Sequence, residues 1–194
     1  MTIRLAILGS TRGTNLQTLI DAIANDQLDA EIHLVVSNKA DAFILERAQQ
    51  QGIPTQHIAV AGQSREQYDQ QVHAALKAQH IDLIVMIGYM RIVSKWFTDQ
   101  WPHQIINVHP SLLPKHAGLM DLAVHQTAID AGDNESGCTV HFVNEVVDGG
   151  GTLVQKRCTI DPDDTAETLK NKVQALEGVA LIETIQQCIH KLMQ

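Results

Sequence analysis

The chain has 194 residues, enough for one domain with a sizeable core and little room for a second. Hydrophobic residues make up 44% and charged residues 19%, which excludes a disordered or fibrous chain. The net charge of −8 argues against a nucleic-acid partner, whose phosphate backbone needs a basic surface, but leaves room for a small phosphorylated substrate.

IRLAIL near the start reads as a buried parallel strand, short, aliphatic and followed at once by the turn-forming GSTRGTN. Arg4 interrupts the beginning and the run Leu5 to Leu8 is short for a leader, so no secretory signal is expected. A helix should open at Thr14 or Asn15, with Leu16, Leu19, Ile20 and Ile23 along one face. EIHLVVS is a second strand and DAFILERAQQQGI a second helix closed by Gly52. TQHIAV is expected to be a short strand. Ser64 then caps a helix with Tyr68, Val72, Ala75 and Leu76 on one side.

DLIVMIG, the most apolar strand, belongs in the centre of a sheet. The loop GYMRIVS, a short strand at QIINVH and the Pro-bounded PSLLPKHAG follow. A helix over roughly Leu122 to Ala131 leads to the strands GCTVHFV and TLVQKRCTI, whose short connection predicts antiparallel pairing. In the first, Cys138, Val140 and Phe142 alternate with Thr139 and His141, as on a strand with two unlike faces. A long helix from about Thr165 to Leu192 closes the pattern, with Asp164 and Glu167 spaced like a capping box. The alternation predicts an α/β, doubly wound, mostly parallel sheet with an antiparallel C-terminal strand pair and a long C-terminal helix. We read residues 1–194 as one domain, with a phosphate-binding half over 1–100 and a catalytic half over 101–194.

Four places carry candidate chemistry. In GSTRGTN, Gly9 and Gly13 allow close backbone approach at the sheet's carboxyl edge, and Thr14 and Asn15 add donors for an anion. It is neither a dinucleotide fingerprint nor a Walker loop, and a plain strand-to-helix turn would look the same. In INVHPSLLP, Asn107 and His109 are two apart on a strand and share a face, a donor pair suited to an oxygen gaining negative charge. A histidine satisfied by backbone at a strand end is the plainer alternative. In VVDGGG, Asp148 could orient His109 and favour its charged form, or simply occupy an Asp-Gly turn. In GYMRIVS, Arg91 suits a carboxylate while Met90, Ile92 and Val93 flank a flat ring, or those three are rim packing and Arg91 a solvated charge.

The three cysteines match no zinc pattern and fit a reducing, cytoplasmic compartment. The ten histidines contain no HExxH pair, and His57, His80, His103 and His190 are read as surface or structural, so no metal is expected. No stretch approaches the length of a membrane-spanning helix.

Taken together, GSTRGTNLQ, SNKADA, SRE, GYMRIVS, NVHPSLLPKHAG, ESGCTVHFV, VDGG and VQALE resemble the glycinamide ribonucleotide formyltransferases of purine synthesis. NVHPSLLP by itself is shared with related folate-dependent formyltransferases, whereas the phosphate loop, SNKADA and QALE are specific to the nucleotide branch. The resemblance implies a Rossmann-like formyltransferase fold and transfer of formyl from 10-formyltetrahydrofolate to the amine of glycinamide ribonucleotide, without metal. It implies Asn107, His109 and Asp148 as the catalytic trio, and Gly13, Thr14 and Asn15 around the phosphate. Glu177 falls at the acid on the ribose hydroxyls, and Met90, Arg91, Ile92 and Val93 at the folate wall. Arg91 and Arg65 are candidates for the carrier's glutamate tail. Asn107 would then donate to the developing oxyanion, charged His109 would stabilise it, and Asp148 would hold that charge and help move a proton.

The chain departs from the family pattern at Thr11, where a glycine is usual, in the longer GLMDLAVHQTAIDAG, and at Gly151, where proline is common. Methionyl-tRNA formyltransferases share the core but carry a further C-terminal domain, which is not expected here. Formyltetrahydrofolate hydrolases carry an N-terminal regulatory domain, also not expected. Small-molecule substrates are the expected partners, with neither nucleic acid nor membrane. A homodimer is compatible with the sequence but leaves no readable mark on it.

Overall fold

The computed structural model describes residues 2–192. Its elements run β1 (Ile3–Gly9), α1 (Thr14–Ala24), β2 (Ala30–Ser37), α2 (Phe43–Gln50), β3 (Thr55–His57), α3 (Arg65–Lys77), β4 (Leu83–Ile87), α4 (Lys95–Gln100), β5 (Ile105–His109), α5 (Leu122–Asp130), β6 (Glu135–Phe142), β7 (Thr152–Thr159) and α6 (Ala166–Leu192). The strands form one sheet in the order β3-β2-β1-β4-β5-β6-β7. The first five are parallel, and β6 joins β5 antiparallel before β7 joins β6 antiparallel.

Period-two alternation assigns each strand residue to one of two cores. Ile3, Leu5 and Ile7 of β1 and Leu83, Val85 and Ile87 of β4 face one core, which α1, α2, α5 and α6 cover. Ala6, Leu8, Ile84 and Met86 face the opposite core, closed by Tyr68, Val72 and Leu76 of α3 and Phe97 of α4. Strands buried on both faces explain the near-continuous apolar runs of β1 and β4. On β6, Cys138 and Val140 enter the first core, while Thr139 and His141 on the other face are also buried. Its two unlike faces are therefore both interior.

Two local readings are corrected, and one unassigned segment gains an element. TQHIAV pairs as a strand only over Thr55–His57, because β2 offers partners only from Val35 to Ser37. KWFTDQ, unassigned between the loop GYMRIVS and the strand QIINVH, is the helix α4: Ser94 Oγ accepts from Phe97 N at 3.3 Å, and the six-residue helix is too short for periodicity to announce it. The box at the start of α6 falls one residue later than expected. Thr165 Oγ1 accepts from Thr168 N at 3.2 Å and Thr168 Oγ1 from Thr165 N at 2.9 Å. Asp164 instead accepts from Asp161 N and from Lys172, which holds its carboxyl down at about 2.

Candidate active site

A cavity of about 890 Å³ opens at the carboxyl edge of the sheet. Strands β1, β4 and β5 end there, so the turns that follow them supply its walls, as at the strand-order reversal of doubly wound sheets. Residues of α5, the 143–148 loop and one face of α6 complete it.

The turn after β1 forms the first wall. Gly13 caps α1 with φ of +66°, and no side-chain hydrogen bond caps that helix start. A Cβ at Gly13 would collide with Ile44, so glycine is needed for space as well as for the left-handed backbone. Thr14 and Asn15 line the cavity beside it, and Asn15 Nδ2 donates to Glu177 Oε2 at 2.7 Å. Burial lifts the Glu177 carboxyl above its usual range, while the Asn15 bond opposes the rise. Thr11 occupies the space in front of Gly88, whose φ is +55°, and its carbonyl accepts from Ile44 N. The departure at Thr11 is thus accommodated between two walls of the cavity.

Asn107 and His109, at the end of β5, share a face as the spacing requires. His109 is 4% exposed, and its Nδ1 lies 3.2 Å from Asp148 Oδ2. Its Nε2 faces the His116 carbonyl at 3.2 Å. Asp148 reaches this position from the 143–148 loop with φ of +54°, and accepts from Gly118 N at 2.8 Å. Its other oxygen lies 3.5 Å from His141 Nε2, which is also 3.2 Å from Asn107 Nδ2. Four side chains therefore form one contiguous cluster.

Burial alone would raise the Asp148 carboxyl, but contacts with His141, the Gly118 amide and His109 outweigh it and hold it below the usual range. The expectation that Asp148 keeps His109 charged meets a stronger opposing effect. Burial pulls the imidazole below its usual value despite Asp148 and the His116 carbonyl. Both ring nitrogens nevertheless face oxygen acceptors, an arrangement that only the doubly protonated ring satisfies on both sides. A further negative charge in the cavity would act in the same direction as Asp148.

Another part of the cavity lining is apolar. Met90, Ile92, Val146 and Val147 line it with exposed side chains, and Val93 lines it from a buried position. The Arg91 guanidinium lies over the Tyr68 ring, 4.1 Å from its centroid, and its buried Nε meets no partner. Arg65, at the exposed start of α3, is not part of the lining. Asp69, nearby on α3, feels the charges of both Arg91 and Arg65.

Sequence reasoning missed several residues here. His141 reaches the cluster because β6 runs antiparallel beside β5 and sets it in register with Asn107. Its signal was the alternation that put it opposite Val140. His116 and Asp133, 2.7 Å apart, brace the segment whose carbonyl meets His109, and nothing in their spacing announces it. Lys170 and Gln174 precede Glu177 on the same face of α6 at helical spacing. Among the described residues no group of three or more His, Cys, Asp or Glu is placed to hold a metal ion.

Residues 3–185 match the formyl transferase family model. The chain is 45% identical over 175 residues to a phosphoribosylglycinamide formyltransferase of Haemophilus influenzae, covering 90% of this chain and 81% of that protein. It is 44% identical to the trifunctional purine biosynthetic protein adenosine-3 of Drosophila melanogaster, covering 90% of this chain and 13% of that longer one. A solved structure of the phosphoribosylglycinamide formyltransferase of Coxiella burnetii superimposes with a TM-score of 0.90 at 40% identity, covering 95% of this chain and 86% of that one.

Proposed function

The chain belongs to the formyl transferase family, and from that premise we propose that it moves the formyl group of 10-formyltetrahydrofolate onto the amine of glycinamide ribonucleotide. The products are N-formylglycinamide ribonucleotide and tetrahydrofolate, a step of purine synthesis. The observation that carries the reading is the 3.2 Å pairing of His109 with Asp148 beside Asn107, in one cavity that is also lined by the Gly13–Asn15 turn and by Met90, Ile92 and Val93.

In this reading the ribonucleotide phosphate lies on the Gly13–Asn15 turn and the ribose hydroxyls meet Glu177. The flat ring of the carrier lies between Met90, Ile92 and Val93 on one side and the 143–148 loop on the other. Arg91, and Arg65 beyond the lining, are the cations for the carrier's glutamate tail. Asn107 donates to the formyl oxygen as the amine adds to the formyl carbon. His109 stabilises the same charge, which offsets the burial that otherwise strips its proton. Asp148 orients His109 and supports removal of the amine proton on its way to the departing nitrogen. No covalent bond to the protein forms.

Residues 1–194 act as one catalytic domain in this reading, in the cytoplasm, where its three cysteines stay reduced. Its partners are the two small substrates, not nucleic acid or membrane. The test is formyl transfer by the purified protein, omitting each substrate in turn. Deformylation that requires the ribonucleotide, with formylated product appearing in step, is the expected result. Deformylation without it would replace the reading with a hydrolase, and silence from folded protein would replace it with a binding module.

A further inference from the structure

Four buried side-chain nitrogens meet no hydrogen-bond partner among the described residues: His73 Nδ1, Arg91 Nε, Trp101 Nε1 and His125 Nδ1. His73 and Trp101 belong to a ring cluster between α3 and α4, with centroids 5.6 Å apart, and neither lines the cavity. Arg91 stacks on Tyr68. His125 is different, because it lines the cavity from α5 while only 2% exposed.

Its neighbours place it on the ribonucleotide side. Lys170 of α6 and Asp121 at the start of α5 are the charged groups it feels most, followed by His109. Lys170 Nζ and Asp121 Oδ1 pair at 2.6 Å. His125 thus lines the cavity from a helix packed on α6, within reach of the charges of Lys170 and Asp121 and of His109. A ring nitrogen buried without a partner, as His125 Nδ1 is, forfeits its bond to water and destabilises the fold. Leucine or phenylalanine would fill the same space without that cost, so folding does not explain histidine here.

We propose that His125 is a further binding residue for the ribonucleotide, hydrogen-bonding a neutral polar group, amide or hydroxyl, in the stretch between the substrate's amine and its phosphate. The inference rests on the substrate reading above. Burial keeps the ring neutral, with one donor and one acceptor, which matches an amide or hydroxyl better than a phosphate dianion.

The test compares wild type, His125→Leu and His125→Gln by calorimetric titration with glycinamide ribonucleotide, steady-state KM for both substrates, and thermal unfolding. The leucine variant should unfold no earlier than wild type and bind the ribonucleotide about tenfold more weakly, with the folate KM unchanged. The glutamine variant, which restores a donor and an acceptor, should recover part of the affinity. A leucine variant that unfolds earlier or fails to fold, with glutamine binding as wild type does, would make His125 structural and overturn the proposal. Unchanged ribonucleotide affinity in both variants would also overturn it while leaving the function standing. Wild type that binds no ribonucleotide at all would overturn both.

Discussion

Asn15 Nδ2 and Glu177 Oε2, 162 residues apart in sequence, meet at 2.7 Å and tie the start of α1 to the middle of α6. The turn proposed for the phosphate and the acid proposed for the ribose thus hold each other in position before a ligand arrives. Glu177→Ala removes both the acid and the partner of Asn15. We expect the ribonucleotide KM to rise about tenfold to a hundredfold, the range for a hydrogen bond to a charged group, with the folate KM unchanged. Steady-state kinetics in each substrate checks this, and an equal rise in both would sink the assignment.

Asn107→Ala removes the donor proposed for the formyl oxygen without disturbing His109 and Asp148, which contact each other directly. Turnover should fall on the order of a hundredfold to a thousandfold, as for loss of one oxyanion donor, with both KM values little changed. His141→Ala frees Asn107 and one oxygen of Asp148 together. Its loss in turnover should be smaller than for Asn107→Ala, and the two losses should not add in the double variant.

Asp148→Asn keeps an oxygen for the Gly118 amide but removes the charge facing His109. Turnover should drop on the order of a hundredfold. Because the Asp148 carboxyl is held below its usual range, it is already ionised at neutral pH. Its protonation should cut wild-type activity only below about pH 4, near the unperturbed value. An acid-side limb in kcat above pH 5 that vanishes in Asp148→Asn would contradict this.

Gly13→Ala forces a Cβ against Ile44 in a left-handed backbone. The conformation alone costs about 1–2 kcal/mol, and the core must also shift. Urea unfolding should show a lower midpoint with unchanged slope. A midpoint equal to wild type would mean the turn has relaxed out of this shape.

Burial, with Lys170 adding to it, pulls His125 to about 4, against an unperturbed 6.5. The unfolded chain therefore binds a proton that the folded chain refuses between those values. Stability from this group is complete above pH 6.5 and declines as pH falls toward 4, by on the order of 3 kcal/mol in total. His109, also lowered by burial, acts in the same direction. Melting temperature followed from pH 7 to pH 4 should fall less steeply in His125→Leu than in wild type, and parallel curves would refute the shift.

The parts of the site that lie within one element are legible in the amino-acid sequence. Gly13 with Thr14 and Asn15, Asn107 with His109, and Met90 to Val93 are each local groups whose spacing and turn chemistry follow from backbone geometry. The parallel sheet follows as well, because β1 and β4 are apolar on both faces. The six residues of α4 carry too little periodicity, and Thr165 and Asp164 compete for the same cap with similar chemistry.

The sequence by itself determined which local chemistry was available and at which edge of the sheet the turns would gather it. Only the tertiary structure decided which groups meet. His141 joins Asn107 through an antiparallel register, and Asp148 reaches His109 through a left-handed loop residue. Only burial could decide that His109 and His125 lean toward neutrality. Register, loop path and desolvation depend on residues far apart along the chain, so no window of sequence contains them.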